Sequence, residues 1–142
     1  MKNLNKYITE AWSGMKQHSL KVDIEAWCEE MGIKRYTINS QGEIDVNGNV
    51  NLNNKNLKEL PYKFGRVDGY FDIGSNPNLT SLKNCPNKIV GDYFSCSECT
   101  KLDSLEGCPK EVGWNFYCSD CKQKFTEKEV MSLCKVKKHI LV

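Results

Sequence analysis

The sequence predicts an α/β repeat: a short solenoid of parallel strands with an N-terminal helical cap and a C-terminal helix-strand cap. A segment of about 22 residues recurs in the second half of the chain, and its phenylalanines Phe71, Phe94 and Phe116 are 23 and 22 positions apart. A fixed period in this range is typical of solenoids, whose coils bury a hydrophobic face only by stacking on their neighbours. We therefore assign residues 1–35 to the N-terminal cap and residues 36–142 to the solenoid with its C-terminal cap, and expect one folding unit.

The composition narrows the class of protein. Lys and Arg number 20 against 18 Asp and Glu, so the chain has neither the basic excess of a nucleic-acid binder nor the acidic excess of a DNA mimic. No apolar run resembles a signal peptide, and no stretch is long enough to cross a bilayer. Eight cysteines without a secretion signal indicate the reducing cytoplasm, where thiols stay free.

The N-terminal region is predicted to be helical over residues 4–33, as two helices with a break near His18 and Ser19. The first helix has an apolar stripe made of Leu4, Tyr7, Ile8, Ala11, Trp12 and Met15. The second helix begins after Asp23 as N-cap and has a stripe made of Ile24, Trp27, Cys28 and Met31. Gly32 suits the position after the last turn, with Ile33 packing back on the helix.

The segments after the helices alternate apolar and polar residues like strands. Residues 36–38 and 43–46 flank the turn-prone residues 39–42, which predicts a hairpin. The repeat follows, and in its fourth coil Thr126 and Glu129 have the spacing of a capping box, which predicts a short helix over residues 127–134. Residues 140–142 are predicted to add a last strand in register with Phe116 and Cys118.

The repeat units resemble leucine-rich repeats in the positions of Phe71, Ile73, Asn76, Leu79 and Leu82. The segment 105–113, Leu-Glu-Gly-Cys-Pro-Lys-Glu-Val-Gly, is similar to units of small leucine-rich-repeat-like proteins of tailed bacteriophages. This resemblance covers residues 36–142. It implies a recognition module, and it suggests a phage accessory protein that binds and modulates or inhibits a defence or regulatory protein in the cytoplasm of a bacterial host.

The cysteine pattern permits two interpretations. Cys96 and Cys99, and then Cys118 and Cys121, form two C-x-x-C pairs separated by 18 residues, a spacing typical of a four-cysteine zinc site. The repeat offers a competing cause, because Cys96 and Cys118 take the position of Ile73, while Cys99 and Cys121 take that of Asn76. We favour structural thiols stacked in columns and no cofactor, with a zinc-stabilised nucleic-acid binder as the alternative.

No catalytic constellation emerges from the sequence. The two histidines, His18 and His139, lie in different regions, and the carboxylates fall on different repeat positions. No phosphate-binding loop or dinucleotide fingerprint is present. The sequence therefore predicts a protein that is not an enzyme.

The residues that alternate with the inward phenylalanines predict a binding surface. They place three tyrosines on adjacent strands, and tyrosine is enriched at protein interfaces. The candidate partner-binding residues are Tyr70, Asp72, Tyr93, Ser95, Asn115, Tyr117 and His139, with Trp114 as a possible anchor. Whether this row is exposed or covered by the N-terminal helices is left open, as is self-association through the solenoid ends. A protein partner is expected, with nucleic acid unlikely and no membrane.

Overall fold

The computed structural model of this chain describes residues 4–142 and forms a β-solenoid of parallel strands with about four turns and two helices. The helices are α1 (Leu4–Met31) and α2 (Glu127–Leu133). The strands are β1 (Tyr36–Ile38), β2 (Ile44–Val46), β3 (Val50–Asn51), β4 (Phe64–Val67), β5 (Phe71–Asp72), β6 (Lys88–Ile89), β7 (Phe94–Ser95), β8 (Glu111–Val112), β9 (Phe116–Tyr117), β10 (Lys135–Val136) and β11 (Ile140–Leu141). The coils are built from strands and turns, while α1 precedes them and α2 lies in the last coil. The predicted solenoid is therefore confirmed, but the predicted α/β class is not.

Each coil supplies one strand to each of two sheets. One sheet has the order β1-β2-β4-β6-β8-β10, and the other has the order β3-β5-β7-β9-β11. Only β1 and β2 pair antiparallel, which confirms the predicted hairpin, and the remaining neighbours are parallel. Ile140 pairs with Phe116, so the predicted last strand is confirmed in its register. The parallel extension of the first sheet through β4, β6, β8 and β10 was not predicted, because β6, β8 and β10 span only two residues each and show no alternation.

The core lies between the two sheets and repeats from coil to coil. Phe71, Phe94 and Phe116 are fully buried, with ring centroids 6.1 Å and 5.0 Å apart along the stack. From the opposite sheet, Val67, Ile89 and Val112 are equally buried. Burial of side chains this size contributes roughly 1.5–3 kcal/mol each. The core is therefore built from columns of equivalent residues, as a solenoid requires.

Neighbouring coils approach each other closely at the turn that joins the two sheets. Gly113 donates its main-chain N–H to the carbonyl of Ile89 at 2.8 Å, and a Cβ at this glycine would collide with the carbonyl oxygen of Val90. Gly91 holds the same position in the preceding coil, where a Cβ would lie 2.6 Å from the carbonyl oxygen of Asp68. Glycine is needed here because the backbones leave no room for a side chain.

The predicted break in the N-terminal helices is wrong, because α1 is one helix from Leu4 to Met31 and Asp23 lies in its interior. The two apolar stripes lie on different faces of this single helix. Only the second stripe joins the core: Ile24 and Cys28 are buried, and Trp27 packs on Phe64 with ring centroids 6.1 Å apart. Two parts of this prediction lie outside what the structure describes: residues 1–3 of the cap, and the side chains of Leu4 and Tyr7 in the first stripe.

The hydrogen bonds after α1 and before α2 follow the predicted capping patterns, although the helices end at Met31 and Leu133 and not at residues 33 and 134. After α1, Gly32 has a φ of 74°, and the Ile33 N–H donates to the carbonyl of Cys28 at 2.9 Å, the pattern of a Schellman motif. Before α2, the Thr126 hydroxyl accepts from the Glu129 N–H at 3.1 Å. Within residues 4–142, neither helix is long and apolar enough to span a membrane.

Candidate functional site

The outer surface of the β3-β5-β7-β9-β11 sheet, which we call the tyrosine face, brings the predicted partner-binding residues together. Its outward side chains come from two rows of equivalent positions along adjacent strands. The tyrosine face consists of Asn49, Asn51, Tyr70, Asp72, Tyr93, Ser95, Asn115, Tyr117, His139 and Leu141. It is formed because the buried phenylalanines fix which side of each strand points inward, so the alternate residues point out.

The three tyrosines form a continuous series of ring contacts. Tyr70 and Tyr93 are stacked, with centroids 4.9 Å apart and planes 7° from parallel. Tyr117 pairs with Ser95, two residues after Tyr93. Its ring meets the ring of Tyr93 edge-on, with centroids 5.5 Å apart and planes at 74°. Burial between these neighbours raises the pKa of the Tyr93 hydroxyl to about 12, and Asp72 and Tyr70 add to the rise. All three side chains remain half-buried, so their edges and hydroxyls stay accessible.

Side-chain hydrogen bonds hold the face in place. Asn49 and Asn115 occupy equivalent positions, and each accepts a main-chain N–H from the following coil: Tyr70 at 3.0 Å and His139 at 3.1 Å. The Asn115 amide also donates to the Tyr117 hydroxyl at 2.8 Å. These bonds fix the orientation of Asn115 and Tyr117 on the solenoid surface.

Two members of the predicted site differ from the rest. Ser95 is only 9% exposed, so it supplies almost no contact surface. Asp72 uses one carboxylate oxygen to accept the Gly74 N–H at 2.8 Å, which makes it partly a turn-forming residue.

Trp114 borders the tyrosine face beside Asn115. Its side chain is 47% exposed, and the Lys138 ammonium lies 5.2 Å from its ring centroid in a cation–π contact. His139, two positions before the exposed Leu141, is itself exposed. The predicted anchor is therefore at the rim of the tyrosine face and accessible.

Helix α1 packs elsewhere on the solenoid. Trp27 contacts Tyr62 and Phe64, with ring centroids 5.8 Å and 6.1 Å away, at the first coil. Within residues 8–142, no hydrogen bond or ring contact joins the helix to the tyrosine face. Of the two alternatives left open by the sequence, the structure places the helix over the first coil and leaves the row uncovered.

The four cysteines of the C-x-x-C pairs stack in columns, as the repeat predicts. Cys96 and Cys118 point into the core and are at most 1% exposed. Cys99 and Cys121 lie at the corner, where their thiols donate to the carbonyls of Ile73 and Cys96 at 3.4 Å and 3.3 Å. Within the described part of the chain, no three His, Cys, Asp or Glu side chains are grouped to hold a metal ion. The thiols thus act as core packing and as hydrogen-bond donors.

The thiol pKa values follow from this arrangement. The interaction between the Cys96 and Cys121 side chains lowers the pKa of Cys121, and the same interaction together with burial raises the pKa of Cys96. Burial raises the pKa of Cys99 to about 11 and that of Cys118 to about 12. Cys121 is also half-buried where the other seven cysteines are buried, so it is the thiol most available for reaction.

Asn76 holds the corner position in the preceding coil, and the sequence did not indicate how many contacts depend on it. Its amide is fully buried and makes five hydrogen-bonding contacts with main-chain groups of its own coil and the previous one, three of them shared between its two amide hydrogens. The resemblance to leucine-rich repeats pointed to this position, and the contacts show that Cys99 and Cys121 reproduce its donor role.

The histidines stand apart in the fold, His18 on α1 and His139 on the tyrosine face.

No protein-family model, curated protein or solved structure is similar enough to this chain to count as a match.

Proposed function

We propose that this chain is a non-catalytic protein-binding module and that it binds its partner through the tyrosine face. The observation that carries the proposal is the unbroken contact series of Tyr70, Tyr93 and Tyr117 on an uncovered sheet surface. Tyrosine buries a large area with two side-chain torsions and offers a hydroxyl for hydrogen bonding, so it is favoured in the centre of interfaces.

The rigidity of the face supports this proposal. Asn115 fixes Tyr117 through its 2.8 Å hydrogen bond, and Tyr93 is held between two other rings. A surface whose side chains are already ordered loses less conformational entropy on association, by about 0.5–1.5 kcal/mol for each side chain that need not be immobilised. Exposed Trp114 and Leu141 at the rim extend the apolar area that a partner can bury.

The nature of the partner rests on the resemblance to small leucine-rich-repeat-like phage proteins. On that basis we propose a bacterial host protein, bound in the cytoplasm and thereby modulated or inhibited. Kinship with leucine-rich repeats is part of the same proposal, supported by the parallel coils and by Asn76 at the corner position.

The test is affinity purification from bacterial lysate with the immobilised full chain. Three variants are compared: wild type, the triple alanine variant of Tyr70, Tyr93 and Tyr117, and a control triple alanine variant of Arg66, Lys88 and Glu111. The control residues point outward from equivalent strands of the opposite sheet. Wild type and the control variant are expected to recover the same protein. The tyrosine variant is expected to recover at least about tenfold less of it.

Circular dichroism and thermal melting of each variant establish that it is folded before the comparison is made. Equal recovery by the folded tyrosine variant and by wild type would exclude the tyrosine face as the binding site. Loss with the control variant alone would move the site to the opposite sheet.

A further inference from the structure

Helix α1 carries an exposed, largely apolar stripe on the side turned away from the solenoid, and this stripe shares Ile8, Trp12 and Met15 with the first predicted stripe. Its members recur at alternating steps of four and three residues, the spacing of a helix-pairing seam with a period of 3.5. We call it the α1 seam, and it consists of Ile8, Trp12, Met15, Ser19, Val22 and Ala26. All six are exposed, with Trp12 at 62%, Met15 at 67% and Val22 at 48%. Exposed apolar side chains clustered in this way mark an interaction surface.

The geometry of one continuous helix separates the α1 seam from the solenoid. At about 100° per residue, the six seam residues fall within an arc of about 80°. The residues buried against the solenoid, Ile24 and Cys28, lie about 160° around the helix from the centre of that arc. The solenoid therefore lies behind the α1 seam and leaves room for another helix along its full length of about 28 Å.

We propose that the α1 seam pairs antiparallel with the α1 seam of a second copy of this chain, forming a two-fold symmetric dimer. The sizes of the seam residues are complementary in this direction. With the two-fold axis near Gln17, Ile8 faces Ala26 of the other copy, Trp12 faces Val22, and Met15 faces Ser19. Each large side chain thus meets a smaller one, as dense packing requires.

Parallel pairing fits less well. In a parallel pair, Trp12 would face Trp12 of the other copy, and Ser19 would face Ser19. The tryptophan layer would be crowded, and the serine layer would be left with a cavity. Charge favours the same direction. Residues 5–17 of the helix carry two lysines and one glutamate, net +1, whereas residues 18–31 carry one lysine and four carboxylates, net −3. Antiparallel pairing brings opposite charges together, and parallel pairing brings the two acidic halves together.

The test is sedimentation equilibrium of the full chain between about 5 and 200 µM, a range suited to a weak dimer. The weight-average mass of wild type is expected to rise from 16.3 kDa toward twice that value. Met15→Glu is expected to stay at 16.3 kDa across the range, because it puts a charge beside the two-fold axis. Ser13→Glu adds the same charge about 160° away from Met15 and is the matched control, expected to associate like wild type.

The direction of pairing has its own test. Trp12→Lys and Val22→Glu are each expected to abolish the dimer, and the double variant is expected to restore it, because the two positions face each other only when the helices are antiparallel. Failure of the double variant to restore a dimer that both single variants lose would overturn the antiparallel register. A wild type that stays monomeric to 200 µM, or forms a larger assembly, would overturn the dimer. The triple tyrosine variant should dimerise normally, which separates this result from that of the proposed function.

Discussion

Replacing Asn76 with alanine should cost the protein a large part of its stability, because this one side chain joins two coils. The amide has no solvent exposure. It accepts hydrogen bonds from the N–H groups of Lys55 and Leu57 at 3.1 and 2.9 Å, and donates to the carbonyls of Leu52, Ile73 and Gly74 at 3.0, 2.8 and 3.0 Å. Because an amide NH₂ has two hydrogens, the three donated contacts count as two full hydrogen bonds.

The magnitude follows from this count. Four full hydrogen bonds at about 1 kcal/mol each give about 4 kcal/mol, and the N–H of exposed Lys55 regains one partner from water. The expected loss for Asn76→Ala is therefore about 3–4 kcal/mol. Asn76→Cys introduces the residue found at this corner in later coils. It keeps a donor and loses the acceptor, so the expected loss is smaller, about 2 kcal/mol.

The assay is urea unfolding of the full chain, followed by circular dichroism and analysed with a common slope. Asn78→Ala is the matched control, since the Asn78 amide bonds only to the side chains of Asn56 and Lys101 at the surface. Its expected loss is below about 0.5 kcal/mol. A loss below about 1 kcal/mol for Asn76→Ala, or a larger loss for cysteine than for alanine, would refute the reasoning.

Three further predictions concern the thiols and the coil spacing. Cys121 should react first with a disulfide reagent, and at lower pH than an ordinary thiol, because its lowered pKa gives more thiolate; Cys121→Ser should remove this fast phase. Protein purified without chelator should contain well below one zinc per chain by elemental analysis, and a stoichiometric zinc content would overturn the structural reading of the cysteines. Gly113→Ala should destabilise the solenoid by roughly 2 kcal/mol or more in the urea assay, because its Cβ would collide with the Val90 carbonyl, whereas alanine at exposed Gly14 should be neutral or stabilising.

Much of the solenoid could be predicted because its information is local and repeated. Phe71, Phe94 and Phe116 recur at nearly constant spacing, so one interpretation of the period aligned every coil and even the last strand. The cysteine columns followed from the same alignment. The prediction of two N-terminal helices was wrong, because the apolar stripe changes face along the sequence. The same pattern arises when two helices meet and when one continuous helix has two apolar faces.

The tyrosine face shows a similar division. The sequence indicated which side chains point outward, and it could not indicate that Ser95 would be covered or that Tyr70 and Tyr93 would stack. Those outcomes depend on the spacing and lateral offset of neighbouring strands. The hydrogen bonds of Asn49 and Asn115 likewise join residues 21 and 24 positions apart.

The sequence by itself therefore determined the repeat, the inward and outward positions of each coil, and the helix ends at Gly32 and Thr126. These depend on periodicity and capping, which act over a few residues. Tertiary structure alone decided that α1 is continuous, that its second stripe covers the first coil, and that the tyrosine face stays open. The physical reason is that burial depends on how the surfaces of all elements pack together. An apolar stripe in the sequence indicates that a face favours burial, but the packing of the other elements determines which surface covers it.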